Sequence, residues 1–292
     1  MREQRYVIKN IESFEPKHIF ECGQCFRWNI EDDGSYTGVV KNNVLNVKKE
    51  ENSIIIKGMC EDNLEELCKD YFDLDTDYQK IKNKLSKLDN NLRVSIKYGN
   101  GIRILKQDIW EALISFIISA NNNIPRIKGI IERISKQYGE EIIWDNKKYY
   151  TFPNPEQLSN ASVPDLRKLG LGFRDVRVFE TCRLINQNII SIEELETIKN
   201  IDELKEQLLR FPGVGPKVAD CIMLFSMKKL EVFPIDVWVK RVMTELYGDE
   251  IRKLKNTNTI ISNKQILEYA QQYFGNLAGV AQQYLFYWRR DL

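Results

Sequence analysis

A lysine stands directly behind a glycine turn. The stretch RFPGVGPKVADCIMLF, residues 210–225, runs through Pro-Gly-Val-Gly-Pro into Lys217, which opens an apolar helical pattern. At a helix N-terminus the positive end of the dipole disfavours an ammonium. A lysine that gives up its proton more readily is a nucleophile for an aldehyde-like or sugar C1′ carbon, and the product is a Schiff base. Nineteen residues on, FPIDVWVKR places Asp236 at the start of another helical pattern. Asp236 can simply cap that helix. It can also accept the amine's proton and stabilise an oxocarbenium-like sugar. The chain has a single histidine, His18, which removes hydrolase triads, His-based metal sites and HExxH. Acid–base work is left to carboxylates, Lys, Tyr or Cys. Lys plus Asp suffices for glycosidic cleavage followed by β-elimination.

The turn itself admits fewer readings than its glycines suggest. A phosphate-binding Walker loop needs Gly-Lys-Ser/Thr, but Lys217 follows Pro216 and precedes Val218. A dinucleotide fingerprint needs a third glycine where Val218 stands, and a strand before the turn. What remains is helix, Gly-x-Gly hairpin, helix. Gly213 and Gly215 let the backbone curl with its N–H groups outward, and the second helix adds its dipole, so amides up to Val218 can cradle a phosphate. A plain tight turn between packed helices fits the hairpin equally well. Lys+Arg (43) nearly cancel Asp+Glu (42), a net charge of +1, so any polyanion must be held locally. An amide grip has a shallower salt dependence than a grip of many lysines.

The elements that must position these residues form an α+β chain. SYTGVV, NVLNVKK and SIIIKG read as an antiparallel meander, and residues 61–71 and 76–88 as two short helices, with Leu64, Leu67 and Tyr71 on one face of the first. YGNG at 98–101 is a turn and divides the chain into an N-terminal sheet domain, 1–100, and a helical domain, 101–292. In the second, QDIWEALISFIISA is apolar nearly all round and reads as a central buried helix, stopped by NNN at 121–123. A helix restarts through residues 124–139, and shorter ones are expected at 156–159, 163–169, 173–186, 192–197 and 201–209. After the hairpin come a helix through residues 234–248, a loop at 255–263, and a final pair at 263–274 and 278–290.

Cys22 and Cys25 form one C-x-x-C, with no second pair to complete a zinc set. The longest nearly apolar run, Ala112–Ala120, is nine residues, too short for a bilayer. The N-terminus has no apolar signal core, so a cytoplasmic location is expected, nucleoid-associated in a prokaryote.

At the hairpin and Asp236 the chain resembles the helix-hairpin-helix DNA glycosylases. Further segments narrow the resemblance to the 8-oxoguanine DNA glycosylase family: CGQCFRW (22–28), QDIWEALISFIISANNNIPRIKGIIERI (107–134), LGLGFR (169–174) and AGVAQQYLF (278–286). The resemblance implies a bifunctional glycosylase and abasic-site lyase that acts on duplex DNA containing 8-oxoguanine, as a monomer. It implies Lys217 as nucleophile and Asp236 as catalytic carboxylate. Gly23 matches the glycine whose carbonyl accepts the N7–H of 8-oxoguanine. Guanine lacks that proton, and its N7 would leave both acceptors unsatisfied. Phe286 and Cys221 match the residues that sandwich the flipped base, and Gln282 the reader of its Watson–Crick edge. Cys221 also shares a face with Lys217 by i,i+4 spacing. Asn121, Arg126 and Arg174 match contacts to the orphaned cytosine, and Phe173 the aromatic wedge.

Two departures stand out. Many members carry a His two residues after the Asp, paired with an acid on the last helix; here Trp238 and Arg289 occupy those places, and a Trp–Arg cation–π contact is the expected substitute. No cysteine follows Cys221, so no iron–sulfur cluster is expected; no cofactor and no metal-ligating side chain are assigned, and the resemblance leaves open a cation on the hairpin carbonyls. The rivals are a glycosylase of the superfamily for another lesion and a non-catalytic helix-hairpin-helix DNA-binding module, which needs neither Lys217 nor Asp236.

Overall fold

In the computed structural model, which describes residues 1–61, 63–255 and 260–290, the N-terminal part is a five-stranded antiparallel sheet in the order β1-β5-β4-β3-β2. The strands are β1 (Arg2–Lys9), β2 (Trp28–Ile30), β3 (Tyr36–Val40), β4 (Asn43–Glu50) and β5 (Ser53–Cys60). The meander expected from sequence is β3-β4-β5. Its two flanks carry weaker signals. β1, REQRYVIK, alternates polar and half-buried residues and exists because it pairs with β5 along its whole length, Arg2 opposite Cys60 to Lys9 opposite Ser53. The helix α1 (Pro16–Phe20) lies between β1 and β2. It gives the sheet core Ile19 and Phe20, whose ring stacks on Trp28 with centroids 4.0 Å apart.

Three helices follow: α2 (Leu64–Tyr71), α3 (Tyr78–Leu85) and α4 (Asn90–Tyr98). Leu64, Leu67 and Tyr71 are buried in the sheet core as their spacing requires. Leu85, Leu92 and Ile96 instead join the helical core, so that core reaches back across the turn at 98–101.

The helical part runs α5 (Ile109–Ser119), α6 (Ile124–Tyr138), β6 (Glu141–Trp144), β7 (Lys147–Tyr150), α7 (Pro155–Leu158), α8 (Val163–Lys168), α9 (Asp175–Asn186), α10 (Ile192–Thr197), α11 (Ile201–Leu209), α12 (Pro216–Met227), α13 (Val237–Lys255), α14 (Asn263–Phe274) and α15 (Ala278–Arg290). The β6–β7 hairpin was not expected. Its signal is Asp145-Asn146, both at positive φ (50° and 57°), as a two-residue type I′ turn demands. α13 continues past the expected stop at Gly248 to Lys255; residues 256–259 of the loop expected at 255–263 lie outside the described residues. α5 is the central buried helix, and all but Glu111 and Ser119 of its residues are buried.

The two parts are joined through the backbone beside Gly23. Gln24 is fully buried; its amide donates to the carbonyls of Ile19 (2.9 Å) and Arg103 (2.8 Å) and accepts from the Leu105 N–H (2.9 Å). Arg103 is also buried and donates to the carbonyls of Ser13, Phe72, Asp73 and Thr76. Buried polar groups of this kind hold position only because each donor is satisfied.

Candidate active site and DNA interface

α12 begins where the hairpin ends, and it begins without a cap. Side chains cap α2 to α8, α10, α11 and α14, each accepting from a first-turn N–H. At α12 the N-cap is Gly215, with Pro216 at the first position, and no side chain accepts from the first turn. The amides of Lys217 and Val218 are thereby left for something else. Of the two glycines, only Gly213 needs to be one for backbone reasons, with φ +87°. Gly215 has φ −98°, and a Cβ added there would meet nothing within 4 Å. The sequence reading, in which both glycines curl the backbone, is corrected here: Gly213 makes the turn, and Gly215 keeps its outer surface open.

Helical spacing puts Lys217, Cys221 and Phe225 on one face of α12, and all three line one small cavity. Asp236, Gly23, Gln282 and Phe286 line it too, together with Phe116, Pro234, Val239 and Gln283. Thus the two catalytic candidates and the four base-binding candidates meet at one place, brought from both ends of the chain. Its volume is about 50 Å³, room for a few waters. Phe286 is half-buried, as are Gly23, Lys217 and Asp236, so these four form the side of the cavity nearest solvent. A much larger groove, about 710 Å³, lies between the sheet and the β6–β7 hairpin, but five acids (Glu3, Glu31, Asp32, Asp33 and Asp145) line it against two lysines, Lys57 and Lys147. That field repels a nucleic acid, so size is a poor guide here.

Each cavity residue has a local reason for its place. Asp236 caps α13, its Oδ1 accepting from the Val239 N–H at 2.7 Å, so the capping role and a place in the cavity coexist. The Lys217 ammonium lies 5.4 Å from the centroid of the Phe116 ring, a cation–π distance. Burial pushes the Cys221 thiol up to about 11, with the Lys217 charge pulling the other way. The thiol is therefore neutral at pH 7 and does not compete as a nucleophile. α15 approaches α12 closely at Gly279, where a Cβ would stand 2.7 Å from Leu224 and 2.9 Å from the Val232 carbonyl. That approach seats Gln282 in the cavity. Gln282 is 5% exposed, and its Oε1 has no hydrogen-bond partner among the described residues. A buried acceptor left open costs roughly 1–3 kcal/mol and calls for a ligand that donates.

The remaining candidates gather in a second cluster on the surface. Arg174 donates to the carbonyls of Ala120, Asn121 (2.7 Å) and Leu171 (3.2 Å) and is 2% exposed. It is therefore no solvated helix charge; its guanidinium is what fixes the turn at Asn121, a residue at φ +52°. Arg126 stays exposed and donates to the Gly170 carbonyl at 3.3 Å. Phe173 is 54% exposed, unusual for a phenyl ring, with Arg174 at 4.3 Å and Arg177 at 5.1 Å from its centroid. Arg177 also packs on the hairpin, its Cδ 2.5 Å from where a Gly213 Cβ would sit. Sequence reasoning missed Arg177, which carries no motif. It missed Phe225 as well, though the i,i+4 rule that found Cys221 reaches it one turn later.

The expected Trp238–Arg289 packing is not what forms. The cation over Trp238 is Arg241, 4.9 Å away, while Arg289 lies over Trp288 at 5.2 Å and pairs with Glu245. Arg241 wins because it is i+3 from Trp238 on the same helix. Trp238 remains 45% exposed beside Asp236.

Comparison with known proteins decides the family. Residues 6–113 match the 8-oxoguanine DNA glycosylase N-terminal domain, and residues 114–265 match the HhH-GPD superfamily of base excision DNA repair proteins. The chain belongs to the 8-oxoguanine DNA glycosylase family. It is a DNA glycosylase and abasic-site lyase, and its partner is DNA. The N-glycosylase/DNA lyase of Saccharomyces cerevisiae is 32% identical over 92% of this chain and 81% of its own. The probable N-glycosylase/DNA lyase of Methanothermobacter thermautotrophicus is also 32% identical, over 74% and 71%. Among solved structures, the Clostridium acetobutylicum 8-oxoguanine glycosylase/lyase, bound to duplex DNA with cytosine opposite 8-oxoguanine, is 40% identical with a TM-score of 0.91, covering 100% of this glycosylase and 98% of that chain. A 3-methyladenine glycosylase from Archaeoglobus fulgidus, 22% identical with a TM-score of 0.78, shares the fold alone. The fold therefore leaves the choice of lesion to the residues that line the cavity.

Proposed function

We propose that this glycosylase extrudes 8-oxoguanine from duplex DNA opposite cytosine, removes it with Lys217 as nucleophile, and nicks the strand by β-elimination. The observation that carries the reading is the shared cavity: a lysine and a carboxylate beside a buried glutamine whose acceptor is unpaired. A base offering N–H groups along its Watson–Crick edge satisfies Gln282, and Phe286 and the Cys221 thiol are the two faces between which it stacks. The Gly23 carbonyl accepts from N7–H, which 8-oxoguanine has and guanine lacks.

In the reaction the unprotonated Lys217 amine forms a bond to C1′ as the C1′–N9 bond breaks, its electron pair leaving with the base. Asp236 stabilises the positive charge that develops on the sugar. The departing base takes up a proton from the new secondary ammonium, and the freed nitrogen lone pair then opens the C1′–O4′ bond, O4′ taking a proton from water, to give the protonated Schiff base. Loss of a C2′ proton then expels the 3′ phosphate from C3′, and the strand is cut 3′ to the lesion. The free amides of the α12 start hold a backbone phosphate, and Phe173 fills the space vacated by the base. Asn121, Arg126 and Arg174 face the orphaned cytosine, with Arg174 acting through the turn it fixes. Trp238, exposed beside Asp236, presents an indole N–H to the phosphate next to the flipped nucleotide. The enzyme acts as a monomer without an iron–sulfur cluster.

Strand nicking on duplexes with 8-oxoguanine opposite each base tests this reading. Cleavage is expected to be fastest opposite cytosine. Equal rates opposite cytosine and adenine would remove the roles given to Asn121, Arg126 and Arg174, and no cleavage of any of them would remove the substrate.

A further inference from the structure

The segment that carries Gly23 belongs to the N-terminal part, yet the helical part holds its backbone. Arg290 of α15 donates to the Glu21 carbonyl at 2.7 Å. Gln283, two turns earlier on the same helix, donates to the Cys22 carbonyl at 2.5 Å. Gln107, just ahead of α5, donates to the Gln24 carbonyl at 2.7 Å. The carbonyls on both sides of Gly23 are thus occupied, while that of Gly23 accepts no hydrogen bond among the described residues. Gly23 has φ +85°, a conformation in which its own peptide planes turn easily. Pinning the flanking planes removes that freedom. Arg290 also lies over Phe286, 5.6 Å from the ring centroid, and a Cβ on Gly23 would meet Phe286 Cε1 at 3.3 Å.

We infer that Gln283 and Arg290, assisted by Gln107, are positioning residues for lesion discrimination: they clamp the backbone on either side of Gly23 so that its one open carbonyl faces the N7 edge of the flipped base. The inference rests on the reading that the cavity takes 8-oxoguanine, and it deepens that reading by saying what makes the discriminating acceptor rigid. A carbonyl free to rotate would turn toward water when guanine enters, and so would no longer penalise the wrong base. Held in place, it leaves guanine's N7 facing an acceptor with no escape.

Single-turnover release of 8-oxoguanine, cleavage of a preformed abasic site, and binding of 8-oxoguanine against guanine duplexes in a Lys217→Gln background together test the clamp. Gln283→Leu and Arg290→Ala are each expected to slow base release about tenfold. The 8-oxoguanine-to-guanine binding ratio should fall by a similar factor. Abasic-site cleavage, which has no base to read, should stay within about twofold, and Arg290→Lys, which keeps a donor, should recover most of the loss. The clamp is overturned if both variants release base at the wild-type rate. It is also overturned if base release and abasic cleavage fall together, or if the binding ratio does not move. Absence of 8-oxoguanine release by the wild-type protein would instead overturn the substrate reading beneath it.

Discussion

The two walls of the cavity are built on opposite plans. The proposed catalytic wall, Lys217 and Asp236, comes from twenty consecutive residues, placed by a hairpin, a helix start and one cap. The reading wall pairs Gly23 with Gln282 and Phe286, more than 250 residues apart, and exists only because α15 closes against the N-terminal part. On the proposed reading, bond-breaking is installed locally, whereas recognition of the lesion depends on how two parts of the chain dock. Disturbing the first wall should remove chemistry altogether; disturbing the second should remove choice and leave chemistry.

Lys217→Gln makes the largest break. Both base release and nicking are expected to fall by at least about 10³-fold, as measured on 8-oxoguanine duplex, while binding of the lesion duplex persists. Asp236→Asn comes next. Asn caps a helix as well as Asp, so the thermal midpoint should hold while base release drops roughly 10²–10⁴-fold. A midpoint that falls with the rate would return Asp236 to a purely structural role. On the reading wall, Gly23→Ala sets a side chain at φ +85° and against Phe286, a strain of about 1–2 kcal/mol. Release of 8-oxoguanine should slow by about tenfold or more, with abasic-site cleavage little changed; equal losses would dissolve the distinction between the walls.

The smallest effect is one of pH, at the joint behind the reading wall. Burial pushes the Glu111 carboxyl up to about 7, opposed by Arg27, 3.7 Å away. A carboxyl whose folded value is raised favours the native state while it is protonated, and that advantage is lost as the pH rises from about 4.5 through about 7. Because the Glu111 side chain keeps 14% exposure, the expected loss is only about 1–2 kcal/mol. Denaturant melts of Glu111→Gln should lack this slope between pH 5 and 8. An unchanged slope would show that Glu111 stays ionised throughout.

The same contrast explains what could be read from the sequence. Helical periodicity, caps and the hairpin gave most of the α-helices and the two residues of the proposed catalytic wall, because each is a local signal a few residues long. β1 gave no signal because its alternation is shallow and its strand identity comes from β5, and β2 is only three residues long. Gly23, Gln282 and Phe286 carry no local pattern that separates them from a turn, a surface amide and a core ring, and only the family resemblance singled them out. Gln283 and Arg290 escaped even that, since a hydrogen bond across 261 or 269 residues leaves no trace in spacing. Arg174 shows the opposite hazard. By sequence it passes for a solvated charge, whereas its side chain is buried and donates four hydrogen bonds to three backbone carbonyls.

The central claim is that one amine, Lys217, performs both covalent steps in this cavity. Borohydride reduction during turnover of an 8-oxoguanine duplex, followed by peptide mapping of the trapped adduct, tests it most directly. The account predicts a single sugar-linked peptide containing Lys217, absent from Lys217→Gln; an adduct on another lysine, or trapping that survives in Lys217→Gln, would contradict it.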